Sequence, residues 1–247
     1  GLRLLVREDP RLPLVSIYAG FRGGLLAEKP ENNGITRLLS RTLLKGTKNR
    51  TAVQIAEQVE NAGGRIGSDN GNNSFSVNVE VMKPDLALGL EVLADVLENP
   101  TFPEKEVELE KAAQIAAIKA EDEQITSVAR NVLREKLFDT HPYALRTSGR
   151  AEAVQKLAPA HLADFKDNYV VAQNGVLAVF GDVKAEEVLR LVEKNFGAMP
   201  AGQLALSNPP KPVAPGAPLS VVEERNKQQA VVMVGYPGAD VLSPDRP

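Results

Sequence analysis

The chain has 247 residues, a hydrophobic share of 43%, a charged share of 25% and a net charge of −3, the make-up of an ordinary globular protein with one large core or two smaller ones. The slight acidity argues against nucleic acid as a partner, and no apolar run approaches the ~20 residues of a membrane span. Zero cysteines exclude disulfides, cysteine-held zinc and a thiol nucleophile, and leave the compartment open.

Leu2 to Arg7 and Leu14 to Phe21 read as two strands separated by the turn-prone Asp9-Pro10-Arg11. Ile35, Leu38, Leu39, Thr42 and Leu43 recur at helical spacing, and Gly46 follows as a stop. Thr51 is placed to cap a second helix carrying Val53, Ile55, Ala56 and Val59, which ends at Gly63-Gly64. The glycine-rich run Gly63 to Asn70 lacks the strand–loop–helix setting of a phosphate cradle, so it reads as a loop feeding an edge strand. From Ser74 to Met82 the pattern alternates, with Phe75, Val77, Val79 and Val81 on the face expected to meet helices.

Pro84 opens a helix through Leu97 that carries Leu86, Leu90, Leu93 and Leu97 on one side. Pro103 opens a long helical stretch to Phe138, with a break expected near Glu121 to Gln124. Along it Glu104, Glu106, Glu108, Glu110 and Glu121-Asp122-Glu123 interleave with Lys105, Lys111 and Lys119, the signature of a solvated helix face. Pro159 to Tyr169 and Ala185 to Phe196 read as helices. Between them Gly175 to Phe180 is a short apolar strand, expected to be buried on both faces. Elements mixed in this way give an α+β class, a mainly antiparallel sheet with helices packed on one side. Between Met199 and Pro218 prolines 200, 209, 210, 212, 215 and 218 forbid a helix or central strand. Residues 1–205 therefore read as one domain, 206–218 as a proline-rich linker, and 219–247 as the truncated start of a second, similar domain. Strands are expected at Leu219 to Glu223 and Gln229 to Val234.

The stretch Asn33-Gly34-Ile35-Thr36-Arg37-Leu38-Leu39-Ser40-Arg41, closing on Lys45-Gly46-Thr47, resembles the signature of the pitrilysin/insulinase family of inverted zinc metallopeptidases, roughly G-x-x-H-x-x-E-H-x-x-x-K-G-T. Gly34 and Lys45-Gly46-Thr47 match. Arg37 stands at the first histidine, Ser40 at the glutamate and Arg41 at the second histidine. The family's third ligand, a glutamate somewhat over seventy residues on, falls at Ala116-Ala117. Zinc takes imidazole, thiolate or carboxylate ligands, and an arginine offers no acceptor. Serine alone cannot replace the general base of H-x-x-E-H.

The resemblance extends through Val15 to Gly24 beside the first strand (an opening strand pair), Asn61 to Ser68, His141-Pro142-Tyr143 and Tyr169 to Asp182. It implies a fold like that of a mitochondrial-processing-peptidase-type metallohydrolase domain. It also implies a non-catalytic member or inactive half, binding no cofactor itself, with zinc only in a partner. Such a chain would pair with a catalytic homologous subunit or half to enclose and orient an extended peptide. The peptide's expected site is an edge strand over Ile66 to Asn72, with candidates Ile66, Gly67, Ser68, Asp69 and Asn70. The alternatives are a purely structural assembly subunit of the cytochrome bc core-protein kind, or an active zinc endopeptidase with an unrecognised metal site.

Arg37 and Arg41 read either as a charged, solvated helix face or as a pair that holds something anionic. His141 and His161, the two histidines of the chain, have no second histidine at ligand spacing, and His141 reads as part of a turn. The resemblance favours a bacterial, extracytoplasmic setting, with the cytoplasm as the alternative; Gly1 abuts a strand pattern, so a preceding leader stays open.

Overall fold

The computed structural model describes residues 1–203, 206, 213, 216–236, 238, 243 and 244. In chain order the elements are β1 (Arg3–Glu8), β2 (Leu14–Arg22), α1 (Ile35–Thr42), α2 (Ala52–Asn61), β3 (Arg65–Asn70), β4 (Ser74–Met82), α3 (Leu86–Glu98), α4 (Glu104–Glu123), α5 (Ile125–Phe138), α6 (Ala151–Gln155), α7 (Pro159–Tyr169), β5 (Gly175–Gly181) and α8 (Ala185–Phe196). Thr51 caps α2 as its sequence demands: its hydroxyl accepts the Gln54 N–H, and the Gln54 side chain returns a bond to the Thr51 N–H. The break in the long helical stretch falls at Gln124, whose extended backbone ends α4 and begins α5.

The strands form one five-stranded sheet in the order β1-β5-β2-β4-β3. Only β1 and β5 run parallel; the other three pairings are antiparallel. The expected opening pair is therefore not a pair, because β5 lies between β1 and β2. The chain crosses the end of β5 through its turn, where Asp9 N–H donates to the Gly181 carbonyl (2.7 Å) and Asp182 N–H to that of Leu14 (3.0 Å). Gly181, at φ +135°, is required there, since any Cβ would collide with the Leu14 carbonyl.

One face of the sheet carries Val15, Ile17, Ala19 and Phe21 from β2, Phe75, Val77, Val79 and Val81 from β4, and Leu177 and Val179 from β5, all buried. Against it pack Leu38 and Leu39 of α1, Leu86, Leu90, Leu93 and Leu97 of α3, Leu162 and Phe165 of α7, and Val188 and Val192 of α8. Each aliphatic side chain buried in this way stabilises by about 1.5–3 kcal/mol. The opposite face leaves Leu5, Leu14, Tyr18 and Phe180 between 41% and 54% exposed. β5 is thus covered on one face among the described residues rather than on both.

Residues 219–236 form neither of the strands expected at Leu219 to Glu223 and Gln229 to Val234. A strand needs a neighbour's ladder, and among the described residues none adjoins this segment. It runs instead beside the α4–α5 break, where Arg225 donates to the Asp122 carbonyl and Lys227 pairs with Glu123. Most of the expected 206–218 linker lies outside the described residues.

Candidate functional site

The signature stretch begins at a turn built around a buried acid. The Glu28 carboxylate, 5% exposed, accepts the Gly34 N–H (2.8 Å), the Thr36 N–H (3.1 Å) and the Asn33 side-chain amide (2.7 Å). It fills the N-terminal donors of α1, where a negative charge also suits the helix dipole. Burial nonetheless pushes its carboxyl above the ordinary range, outweighing these bonds. Gly34 enters the helix at φ +104°, and a Cβ there would sit 2.9 Å from the Gly149 Cα. That explains the glycine of the signature by geometry alone.

One turn later come the positions that would hold metal. Arg37 is partly buried and, among the described residues, its side chain has neither a hydrogen bond nor an ion pair. Ser40 is 1% exposed, and its hydroxyl donates to the Arg37 carbonyl at 3.0 Å. Arg41 reaches across to α4 and bonds Glu110 at 2.5 Å, and Lys45 takes the other oxygen of the same carboxylate at 2.9 Å. Burial pushes the Glu110 carboxyl up, but the bonds from Arg41 and Lys45 outweigh it and hold it below the usual carboxylate range. Glu110 is thus a buried ion-pair partner, not part of a solvated face; its partner sits 69 residues away in sequence. The neighbouring Gln114, also buried, donates to the carbonyls of Gly34 (3.0 Å) and Ser148 (2.9 Å). Ala116 and Ala117 lie exposed on α4.

These side chains do not fit zinc. The acceptors here are amide and hydroxyl oxygens and one carboxylate already shared by two cations, where zinc asks for several imidazole, thiolate or carboxylate donors. No group of three His, Cys, Asp or Glu able to hold a metal occurs among the described residues. His141 and His161 are elsewhere: the Nδ1 of His141 accepts the Tyr143 N–H in a turn, and that of His161 accepts the Ala158 N–H at the start of α7.

The Lys45-Gly46-Thr47 ending has a structural task. Asp95 of α3, 5% exposed, gathers the Thr47 hydroxyl (2.6 Å), the Asn49 amide (2.6 Å), Arg50 (2.8 Å) and the Asn99 amide (3.1 Å). Burial raises its carboxyl, and these donors more than offset it, so it titrates below its ordinary value. The turn after α1 is thereby tied to α3, beside a polar cleft of about 390 Å³ that Asn49, Arg50, Asp95 and Glu98 help to line. Glu28, Asp95, Glu110 and Gln114 were not singled out as site residues from sequence. Asp95, Glu110 and Gln114 act through contacts that exist only once distant elements meet, and Glu28 through a local turn.

The five peptide-site candidates fall together on β3, one edge of the sheet. Two bonds fix the phase of its ladder. Gly71 N–H donates to Ser74 and Gly23 N–H to Asn73, both at 2.9 Å. Bonding in an antiparallel ladder alternates, so Ser76, Asn78 and Glu80 of β4 bond Asp69, Gly67 and Arg65 of β3. The main-chain groups of Ile66, Ser68 and Asn70 therefore point outward, and among the described residues no backbone partner meets them. The expected edge is shorter than Ile66 to Asn72. Gly71 to Ser74 closes a hairpin, and its tip is held by Arg134 to the Asn72 side chain (2.8 Å) and by Tyr143 to the Asn73 side chain.

Residues 3–150 match the model of the family described as insulinase, peptidase family M16, and residues 156–247 match that of the peptidase M16 inactive domain. The chain belongs to the insulinase family. Among its relatives is the mitochondrial-processing peptidase subunit beta of Blastocladiella emersonii, 27% identical over 82% of this chain and 43% of the relative. Another is the cytochrome b-c1 complex subunit 1 of Homo sapiens, 26% identical over 81% of this chain and 42% of the relative. A crystal structure described as a peptidase M16 inactive domain from Pseudomonas fluorescens superposes with a TM-score of 0.81 at 23% identity, covering 86% of this chain and 52% of that one. This insulinase-family chain spans less than half the length of these two curated relatives, 43% and 42%. The two family models meet between residues 150 and 156, whereas the fold does not divide there: β5, in the second, lies between β1 and β2 of the first.

Proposed function

We propose that this chain is a non-catalytic partner within an insulinase-family assembly, pairing with a zinc-bearing homologous half or subunit and holding an extended peptide on β3. The observation that carries the reading is the unpaired main-chain edge at Ile66, Ser68 and Asn70, lying against the helix that bears the degenerate signature. An extended peptide can add to such an edge through main-chain bonds with little sequence preference. The side chains at the metal position support a holding role over a bond-breaking one, since neither a zinc ligand set nor a general base stands there. No helix among the described residues is long and apolar enough to cross a membrane.

The test is a titration of a short unstructured peptide into the chain and into Ser68→Pro. The Ser68 N–H points outward, so proline removes a donor offered to the peptide without cutting the β3–β4 ladder. Affinity is expected to be weak, about micromolar or poorer, because one added strand buries less than a standard interface. Binding should fall about tenfold or more in the variant. Equal binding by both proteins would retire the edge. It would favour a purely structural subunit, the role to which the likeness to a cytochrome b-c1 complex subunit points.

A further inference from the structure

Resting on the reading of β3 as a peptide edge, we propose that Arg37 forms an anion subsite beside it, taking a carboxylate of the bound peptide. The argument begins with charge. Arg41, Lys45 and Glu110 form one cluster in which two cations share a single carboxylate. Arg37, one helical turn from Arg41, adds a third cation with no counter-ion among the described residues. Three cations against one acid leave this stripe at +2 where the family signature would place a divalent metal. A guanidinium stays charged at every working pH and grips a carboxylate through two parallel N–H bonds.

The packing leaves room for such a ligand. Arg41 meets Glu110 while Gly34 meets Gln114, so α1 and α4 run antiparallel and Arg37 stands level between those contacts. An outward residue of α4 at that level is Ala113, exposed and too small to cover a guanidinium. The subsite also adjoins the edge. α1 packs against β3, and the Asn70 side chain at the end of β3 lies 3.5 Å from the carbonyl of Thr147, next to the Ser148 that Gln114 binds. A peptide paired along the β3 edge therefore runs on the strand that packs against α1, the helix that carries Arg37.

The experiment uses four short unstructured peptides of otherwise identical sequence, with a central Glu or Gln and a C-terminal carboxylate or amide. Each is titrated by fluorescence anisotropy into the chain, Arg37→Gln, Arg37→Lys and Ser68→Pro, at low and high salt. The chain should prefer a carboxylate-bearing peptide about five- to tenfold at low salt, as one charge-assisted pair provides. That preference should shrink at high salt, vanish in Arg37→Gln and partly return in Arg37→Lys, while the peptide without either carboxylate binds all three alike. Whether the central or the terminal carboxylate earns the preference identifies the source. Equal affinity of the chain for all four peptides, or a preference that survives Arg37→Gln, overturns the subsite and leaves the edge standing. A preference that Arg37→Gln abolishes, with each peptide binding the chain and Ser68→Pro equally tightly, retires the edge and keeps the subsite. Failure of every peptide to bind overturns both.

Discussion

Glu110 joins α1 to α4 through Arg41 and Lys45, and its behaviour can be checked by acid titration. Its carboxyl is held low by Arg41 and Lys45, so on acidification the unfolded chain takes up the proton first. The stabilisation is complete above the ordinary glutamate range and is lost as pH falls through that range toward the folded value. Asp95 is shifted the same way. Glu28, shifted upward, acts oppositely: its contribution is present below the ordinary range and lost as pH rises through its folded value. Glu110→Gln should lower stability at neutral pH by about 1–2 kcal/mol, reduced from a fully buried pair because Arg41 and Lys45 keep solvent contact. It should also flatten the acid side of a denaturation-against-pH curve; an unchanged acid limb would show that the pair contributes nothing. Metal affinity gives a second check on this stretch. After dialysis the chain should carry no stoichiometric zinc by elemental analysis. Arg37→His, Ser40→Glu, Arg41→His and Ala117→Glu together should create zinc affinity measurable by calorimetry. Ala117 follows Gln114 and Glu110 along one helix stripe, whereas Ala116 is turned about 100° away from it, so Ala116→Glu in place of Ala117→Glu should bind more weakly.

At the level of elements, the phase of β3 separates two proline substitutions on adjacent residues. Gly67 bonds Asn78 within the ladder, while Ser68 faces outward. Gly67→Pro removes an interior donor and should lower stability by about 1–3 kcal/mol, whereas Ser68→Pro should leave the thermal midpoint within a few degrees of the parent. A larger loss in Ser68→Pro than in Gly67→Pro would mean that the ladder is phased the other way. This phase could not be read from sequence, because it depends on which bonds close the 71–74 hairpin. Much else could. α7 and α8 occupy Pro159–Tyr169 and Ala185–Phe196, as their periodicity predicts, since their apolar stripes are uninterrupted and proline or acids open them. The helical spacing of Ile35, Leu38, Leu39, Thr42 and Leu43 likewise predicts α1. What stayed hidden were pairings between distant segments, such as β5 between β1 and β2, or Glu110 among acids that alternate with lysines. Local pattern reports which face is apolar, not which remote group will meet it.

For the whole molecule, the boundary that matters is set by the sheet. The five strands and eight helices of the described residues all precede residue 197, and the chain after α8 is anchored by the Pro200 and Ala201 carbonyls accepting the N–H groups of Ala172 and Gln173 at 2.9 Å. Beyond that, the described contacts of residues 216–236 with the body include exposed groups such as Arg225 and Lys227, and exposed ion pairs contribute little. A chain ending at Gln203 should therefore keep its helix content by circular dichroism, unfold cooperatively, and bind peptide as the parent does. A chain ending at Gln155, near the junction of the two family models, should behave differently. It loses β5, which among the described residues is the sole partner of β1 and one of two partners of β2, together with the α7 and α8 side chains that cover Val15 to Phe21. Without them β1 has no ladder and part of the apolar face of β2 is open to water, so this shorter chain should show no cooperative transition. Cooperative unfolding of the shorter chain would mean that the first 155 residues fold without the strand at their centre, and would place the domain boundary where the family models meet.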